Sequence, residues 1–231
     1  MSKTEIALIV GAGSGLSASL ARLFSGEGMR VALAARNADK LAGLAAETGA
    51  RAYACDAGKP DEVERLFDSV ARDIGDPGVV VYNASSRVRG PIHTLDPEMV
   101  RVTLEVSAFA GFLVARRAAA DMLKAGRGTI LFTGASASIK GYAESAPFAM
   151  GKFALRGLAQ SMARELAPKN IHVAHIVIDG GIASKYAKPE DAGQDRWLEP
   201  DVIAQEYLRL HRQHRSAWTW EIELRPWLEK F

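Results

Sequence analysis

At 231 residues, the chain is long enough for one α/β domain with a substantial core. A formal net charge of +2, without a long block of one sign, argues against nucleic acid or an anionic membrane as the main partner. A single cysteine, Cys55, rules out an internal disulfide framework, and neither a membrane-spanning apolar run nor a signal-peptide pattern is present, so a cytoplasmic setting is expected.

Apolar runs at residues 6–10, 30–35, 52–55, 79–82, 129–133 and 172–178 alternate with longer helical patterns. Runs that are apolar throughout suit parallel strands covered on both faces, and their alternation with helices implies a doubly wound sheet with right-handed crossovers. No linker, repeat or low-complexity tract interrupts the chain, so residues 1–231 are expected to form one domain.

The first run leads into Gly11-Ala12-Gly13-Ser14-Gly15-Leu16-Ser17, which opens a helix at about Gly15. Glycines there let backbone approach a pyrophosphate, while the helix N-terminus offers amide donors. A tight turn without a ligand is the alternative. The second run ends Ala34-Ala35-Arg36-Asn37, where a carboxylate would bind the ribose 2′-hydroxyl of NAD(H). No acid occurs there, and the planar fork of Arg36 suits a 2′-phosphate instead, unless Arg36 only caps surface structure. Asn37 is expected to N-cap a helix over residues 38–48. The third run ends Cys55-Asp56, with Cys55 read as a buried packing residue rather than a reactive thiol.

The fourth run enters Asn83-Ala84-Ser85 and then a loop over 86–96 carrying Arg87, Arg89 and His93. Loops at the carboxyl ends of strands are where ligands bind in such sheets, although a lone His93 is expected to be structural or solvated. Asp96 and Pro97 open a long helix reaching Lys124. A second long helix is expected from Pro147 to Pro168, with Lys152 four residues after Phe148 on one face. Lys152 is either a solvated surface lysine or a ligand for ribose hydroxyls. The polar segment 185–199 is a candidate substrate lid, a helix is expected over 201–212, and residues 218–224 suit a last parallel strand. The tail Arg225-Pro226-Trp227-Leu228 suits docking on a subunit neighbour or on its own domain.

With its Gly-rich turn and its Asn83-Ala84-Ser85 turn, the sequence resembles the short-chain dehydrogenase/reductase family over nearly its whole length. The resemblance implies a Rossmann-type fold with a seven-stranded, mostly parallel sheet. It implies cofactor contacts from Gly11, Gly13, Ser14, Gly15 and Leu16, with Ser17 at the family's third glycine. Asp56 would bond the adenine amino group, and Asn83 and Ala84 would shape the wall against the adenosine ribose. Lys152 would hold the nicotinamide ribose, and Gly180, Ile182 and Ser184 would follow the family's Pro-Gly-x-Ile-x-Thr with Asp179 at the proline. Together with Arg36, this predicts NADP(H) as cofactor; no metal is expected.

The catalytic positions depart from the family. Its Tyr-x-x-x-Lys pair falls on Phe148 and Lys152, and its serine, thirteen residues before the tyrosine, on Ala135, or on Ser136 if the register slips by one. Its mid-helix asparagine falls on Ser107. Loss of a general acid costs about 10²–10⁴ in rate and loss of an oxyanion donor about 10²–10³. Two functions are therefore expected. One is an NADP(H)-dependent oxidoreductase for a small carbonyl or alcohol with a rearranged donor set drawn from Ser136, Ser138, Tyr142 or Ser145. The other is a catalytically impaired nucleotide-binding sensor or partner subunit. The resemblance also implies a homo-oligomer, dimer or tetramer, formed through the helices at 96–124 and 147–168.

Overall fold

The computed structural model describes residues 4–183 and 196–228. Strands β1 (Ile6–Val10), β2 (Arg30–Ala35), β3 (Arg51–Ala54), β4 (Val79–Tyr82), β5 (Gly128–Thr133), β6 (Ile171–Ile178) and β7 (Glu221–Leu224) form one sheet in the order 3-2-1-4-5-6-7. All six pairings are parallel. The order reverses beside β1, so the carboxyl ends of β1 and β4 diverge and leave the crevice where such sheets bind ligands.

The all-apolar runs become strands because each of their two faces meets a helical layer. Ile6, Leu8 and Val10 enter one core, and Ala7 and Ile9 enter the other. The first core is closed by α3 (Pro60–Asp73), α5 (Ala110–Ala125) and α6 (Ala146–Leu166), and the second by α1 (Leu16–Gly26) and α7 (Pro200–His211), with α2 (Ala42–Thr48) on its edge. No helix among the described residues is long and apolar enough to cross a membrane.

The structure corrects several expected boundaries. The third strand is Arg51–Ala54, with Cys55 just beyond it and buried. The helix after Asn37 starts as a 3-10 turn, Ala38–Leu41, because the Asn37 side chain accepts from the Asp39 amide at 3.0 Å and tightens the first turn. The helix from Pro147 ends at Leu166; Asn170, at φ 62°, then turns the chain into β6. The last strand is limited to Glu221–Leu224, since Trp218 stacks on His172 at 4.8 Å and donates from Nε1 to the Gln213 carbonyl.

The expected single helix from Asp96 to Lys124 is broken. Asp96 caps α4 (Pro97–Leu104) as anticipated, accepting from Glu98 at 2.9 Å, but Glu105–Phe109 is π-helical before α5 begins. A π segment inserts one residue and frees a carbonyl from the helical ladder. The Tyr82 hydroxyl donates to the Val106 carbonyl there. The same segment faces Gly151 of α6, where an added Cβ would lie 2.6 Å from the Cβ of Ser107. The helix is locally re-wound where it packs closest to the site.

Candidate cofactor and active site

A cavity of about 600 Å³ opens at the divergence of β1 and β4. Its walls include the Gly11–Ser14 turn, Arg36, Asp56, Asn83 and Ala84, so sequence-predicted residues from four strand ends meet in one place. Gly13 and Gly15 have nothing within 4 Å of where a Cβ would stand, so nothing in the protein itself fills the space beside them. Gly11 differs: its φ of +82° and the Ala84 amide nitrogen, 2.3 Å from an added Cβ, already require glycine. Leu16 buries its side chain in the core, which leaves only its backbone facing the turn.

Ser17, at the family's glycine position, is buried and donates to the Gly11 carbonyl at 3.3 Å while accepting from Asn83 Nδ2 at 2.8 Å. One hydroxyl thus ties the Gly-rich turn, α1 and the β4 turn together. Asp56 is held by its own loop: its carboxylate accepts from the Gly58 amide at 3.1 Å, and its amide donates to Glu62 at 2.8 Å. Arg36 stands exposed at the rim, and Lys40 lines the same wall. Lys40 was not anticipated from sequence; its signal was a second cation four residues after Arg36, on the turn that Asn37 caps. Burial pushes the Cys55 thiol up to about 12, which fits the expected inert packing role.

The second half of the site lies beyond this cavity, at the ends of β5 and β6. Lys152 is 2% exposed, which overturns its reading as a solvated lysine. Its Nζ donates to the Thr133 carbonyl at 2.8 Å, and burial lowers its pKa to about 8. The three donors of an ammonium thus find one acceptor among the described residues. Phe148, one turn earlier, is half-buried, with its ring centroid 5.8 Å from Lys152 Nζ and 4.9 Å from the guanidinium carbon of Arg87.

Ala135 follows β5, and its amide donates to Ser138 Oγ at 3.1 Å. Ser138 is therefore buried and already engaged, while Ser136 stays half-buried on the following turn. Tyr142 is exposed, and Ser145, at the N-terminus of α6, buries its hydroxyl without a hydrogen-bond partner among the described residues. Ser107 is buried in the π segment, with its hydroxyl 3.4 Å from both the amide and the carbonyl of Ser86. It therefore anchors the 86–96 loop.

Beneath Lys152 lies a pair that sequence reasoning missed. His175 is fully buried and meets Glu221 Oε2 through Nδ1 at 3.0 Å, and Glu221 is held in turn by both nitrogens of the Arg156 fork at 2.7 Å. Burial pushes His175 down to about 4, against the pull of Glu221, so the imidazole is neutral near pH 7 and adds no charge beneath Lys152. β6 is buried along its whole length, histidines included, but nothing in the sequence pairs His175 with β7.

Beyond the carboxyl end of β6, Gly180 approaches Pro226 so closely that a Cβ would lie 2.6 Å from its Cδ, and Gly181 abuts Trp197 in the same way. Ile182 bridges Leu198 in parallel. Asp179, at the family's proline position, is buried between Arg225 and Lys140, with Lys140 Nζ at 3.2 Å. In the expected docking tail, Arg225 and Pro226 pack on their own domain and Trp227 is 77% exposed. Ser184 and most of the 185–199 segment lie outside the described residues. No cluster of metal ligands occurs among the described residues.

Comparison with known proteins agrees with this geometry. The family description "short chain dehydrogenase" matches residues 5–195. A short-chain dehydrogenase structure from Rhodopseudomonas palustris is 38% identical, covers 96% of this chain and 99% of its own, and superposes with a TM-score of 0.83. A metagenomic short-chain oxidoreductase solved with NADP is 28% identical, covers 99% and 100%, and gives a TM-score of 0.86. The 1-deoxy-11-beta-hydroxypentalenate dehydrogenase of Streptomyces exfoliatus is 31% identical over 87% of this chain and 78% of its own. The chain belongs to the short-chain dehydrogenase family of oxidoreductases.

Proposed function

We propose that the protein is an NADP(H)-dependent oxidoreductase acting on a small carbonyl or alcohol, with a rearranged set of donors around Lys152. The observation that carries this reading is Lys152 itself. A buried ammonium with one protein acceptor is costly unless a ligand completes its hydrogen bonds, and a ribose diol supplies two acceptors. Retaining that cost where the phenol is gone fits a nicotinamide site still in use.

The adenosine half fits the 2′-phosphate form. Arg36 and Lys40 face the cavity rim with no acid at the end of β2. The Gly13–Leu16 amides at the start of α1 would take the pyrophosphate, Asp56 the adenine amino group, and Asn83 and Ala84 the ribose wall. The relative solved with NADP supports the same choice. Gly180 and Ile182 would meet the nicotinamide carboxamide through backbone, and Ser184 would follow them.

When bound, the cofactor supplies a hydride at C4 in reduction, and the product alkoxide needs one further proton. Phe148 has no proton to give and Ala135 no donor to offer. Lys152 is charged at neutral pH and titrates near 8, so it lowers the cost of negative charge on the substrate oxygen and holds a proton in the working range. Ser136, Tyr142 and Ser145 are the hydroxyls left to relay it; Ser138 is committed to the Ala135 amide.

We also propose a homo-oligomer. Phe109 and Phe112 are 48% and 42% exposed and stack at 6.2 Å beside α6, forming an apolar groove with Leu104 and Leu158 that suits a second copy of the same face.

Calorimetric titration with NADPH and NADH, followed by NADPH absorbance loss across a panel of ketones and diones, tests the reading. Tight NADPH binding with substrate-dependent oxidation is expected; binding without any turnover would leave a nucleotide-binding protein instead.

A further inference from the structure

Arg87, exposed on the loop after β4, stands over the Phe148 ring. Its guanidinium carbon is 4.9 Å from the ring centroid, and Lys152 Nζ is 5.8 Å from the same centroid. Two cations thus share one aromatic ring. The backbone that carries Arg87 is pinned on both sides. Ser86 meets the Ser107 hydroxyl through its amide and carbonyl, and the Gly90 amide donates to the Glu144 carbonyl at 3.0 Å.

Most arginines on the α-helices are paired, although Arg164 donates only to the Gln160 carbonyl. Arg22, Arg101, Arg116, Arg117 and Arg156 each hold a carboxylate at 3.0 Å or less. Arg87 has no ion pair and no hydrogen bond among the described residues, and the charge that acts on it is Arg89, of the same sign. Its five N–H donors are therefore available beside the ring that Lys152 also approaches. A guanidinium keeps its proton at any working pH, so Arg87 cannot replace the missing phenol as an acid. Its planar fork is suited instead to two-point capture of a carboxylate, and the Phe148 ring lies against it at 4.9 Å.

We propose that Arg87 anchors a carboxylate of the substrate, so that the substrate class is an oxo acid or the corresponding hydroxy acid. This rests on the oxidoreductase reading above and narrows its substrate. It also gives Phe148 a role: the ring that cannot donate a proton orients the cation that selects the anion.

The test uses matched pairs with the same ketone and different charge: phenylglyoxylate against its methyl ester, and pyruvate against methyl pyruvate. Each is titrated calorimetrically into the protein with and without NADP⁺, for the wild type, Arg87→Gln and Arg87→Lys. The wild type should bind the acids at least ~10-fold more tightly than the esters, as expected for a charge-assisted two-point contact. Arg87→Gln should bring the ratio to about one, and Arg87→Lys should restore part of it, because it keeps charge without the fork. Melting temperature and NADP⁺ affinity should not change in Arg87→Gln, which separates a lost anchor from a damaged fold. Equal binding of acid and ester by the wild type, an undiminished acid preference in Arg87→Gln, or no acid binding at millimolar concentration overturns the proposal. The oxidoreductase reading fails on different results: no binding of NADP⁺, or bound acids with no turnover of any carbonyl.

Discussion

Lys152 of α6 donates to the Thr133 carbonyl at the end of β5 across 2.8 Å, and this bond joins α6 to the sheet. The ammonium that makes it is buried, which depresses its pKa to about 8 from the ordinary 10.5. Below pH 8 the lysine is charged in both folded and unfolded chains, so the full desolvation cost falls on the folded state. Between about 8 and 10.5 the unfolded chain binds more protons, so stability rises with pH through that window. Lys152→Met should therefore melt on the order of 5 °C higher at pH 7, with the gain shrinking toward pH 10. Thermal melts across that range check it, and a gain independent of pH would contradict a buried charge.

The Gly-rich turn separates folding from binding. Gly11→Ala forces a side chain against the Ala84 amide from a left-handed backbone, and should cost more than about 2 kcal/mol in chemical denaturation. Gly13→Ala meets nothing in the protein, so its stability should match the wild type while NADPH affinity falls by ~10-fold, as the pyrophosphate loses its close approach. Equal loss of stability in both variants would contradict the assignment of that space to a ligand.

At the other end of the cavity, Arg36→Ala and Lys40→Ala should each weaken NADPH binding by ~10-fold and leave NADH binding little changed, since only the 2′-phosphate distinguishes the two. Calorimetry with both cofactors measures it. If either variant weakens NADH as much as NADPH, that residue touches something other than the phosphate.

Phe112→Asp places a charge in the exposed aromatic groove beside α6. Light scattering should give an oligomer mass for the wild type and a smaller one for the variant at the same concentration. A wild-type monomer at micromolar concentration would contradict the assembly.

The sheet was legible because its strands are apolar on both faces, and the run Ile6–Val10 needs no partner to declare that. The Gly-rich turn was legible because it lies at a strand end, where local sequence dictates backbone, whereas Asp56 and Asn83 were legible only through the family resemblance. The π segment was not: Glu105–Phe109 keeps helical periodicity, and its rewinding follows from the Tyr82 hydroxyl and Gly151, which sit on other elements. The burial of Lys152 was hidden for the same reason, since the helix face alone favoured a solvated lysine. In sequence Ser17 only stands at the family's third glycine; its bonds to Gly11 and Asn83 make it the joint between two turns, and that pairing crosses two strands. Arg87 over Phe148 likewise depends on how a loop folds back on a distant helix.

The central claim is that Phe148 and Ala135 occupy the tyrosine and serine places of a site that still binds NADP(H) through Lys152. It is tested most directly by NADPH absorbance loss, across a panel of activated ketones, diones and oxo acids, for the wild type, for Phe148→Tyr with Ala135→Ser, and for that pair with Lys152→Ala. Phe148→Tyr adds one oxygen close to the Lys152 ammonium, which favours the phenolate, and Ala135→Ser adds a donor for the substrate oxygen. The account predicts slow, substrate-dependent oxidation by the wild type, a gain of ~10² or more in the double variant, and loss of that gain with Lys152→Ala. A wild type already fast and indifferent to Phe148→Tyr would contradict it.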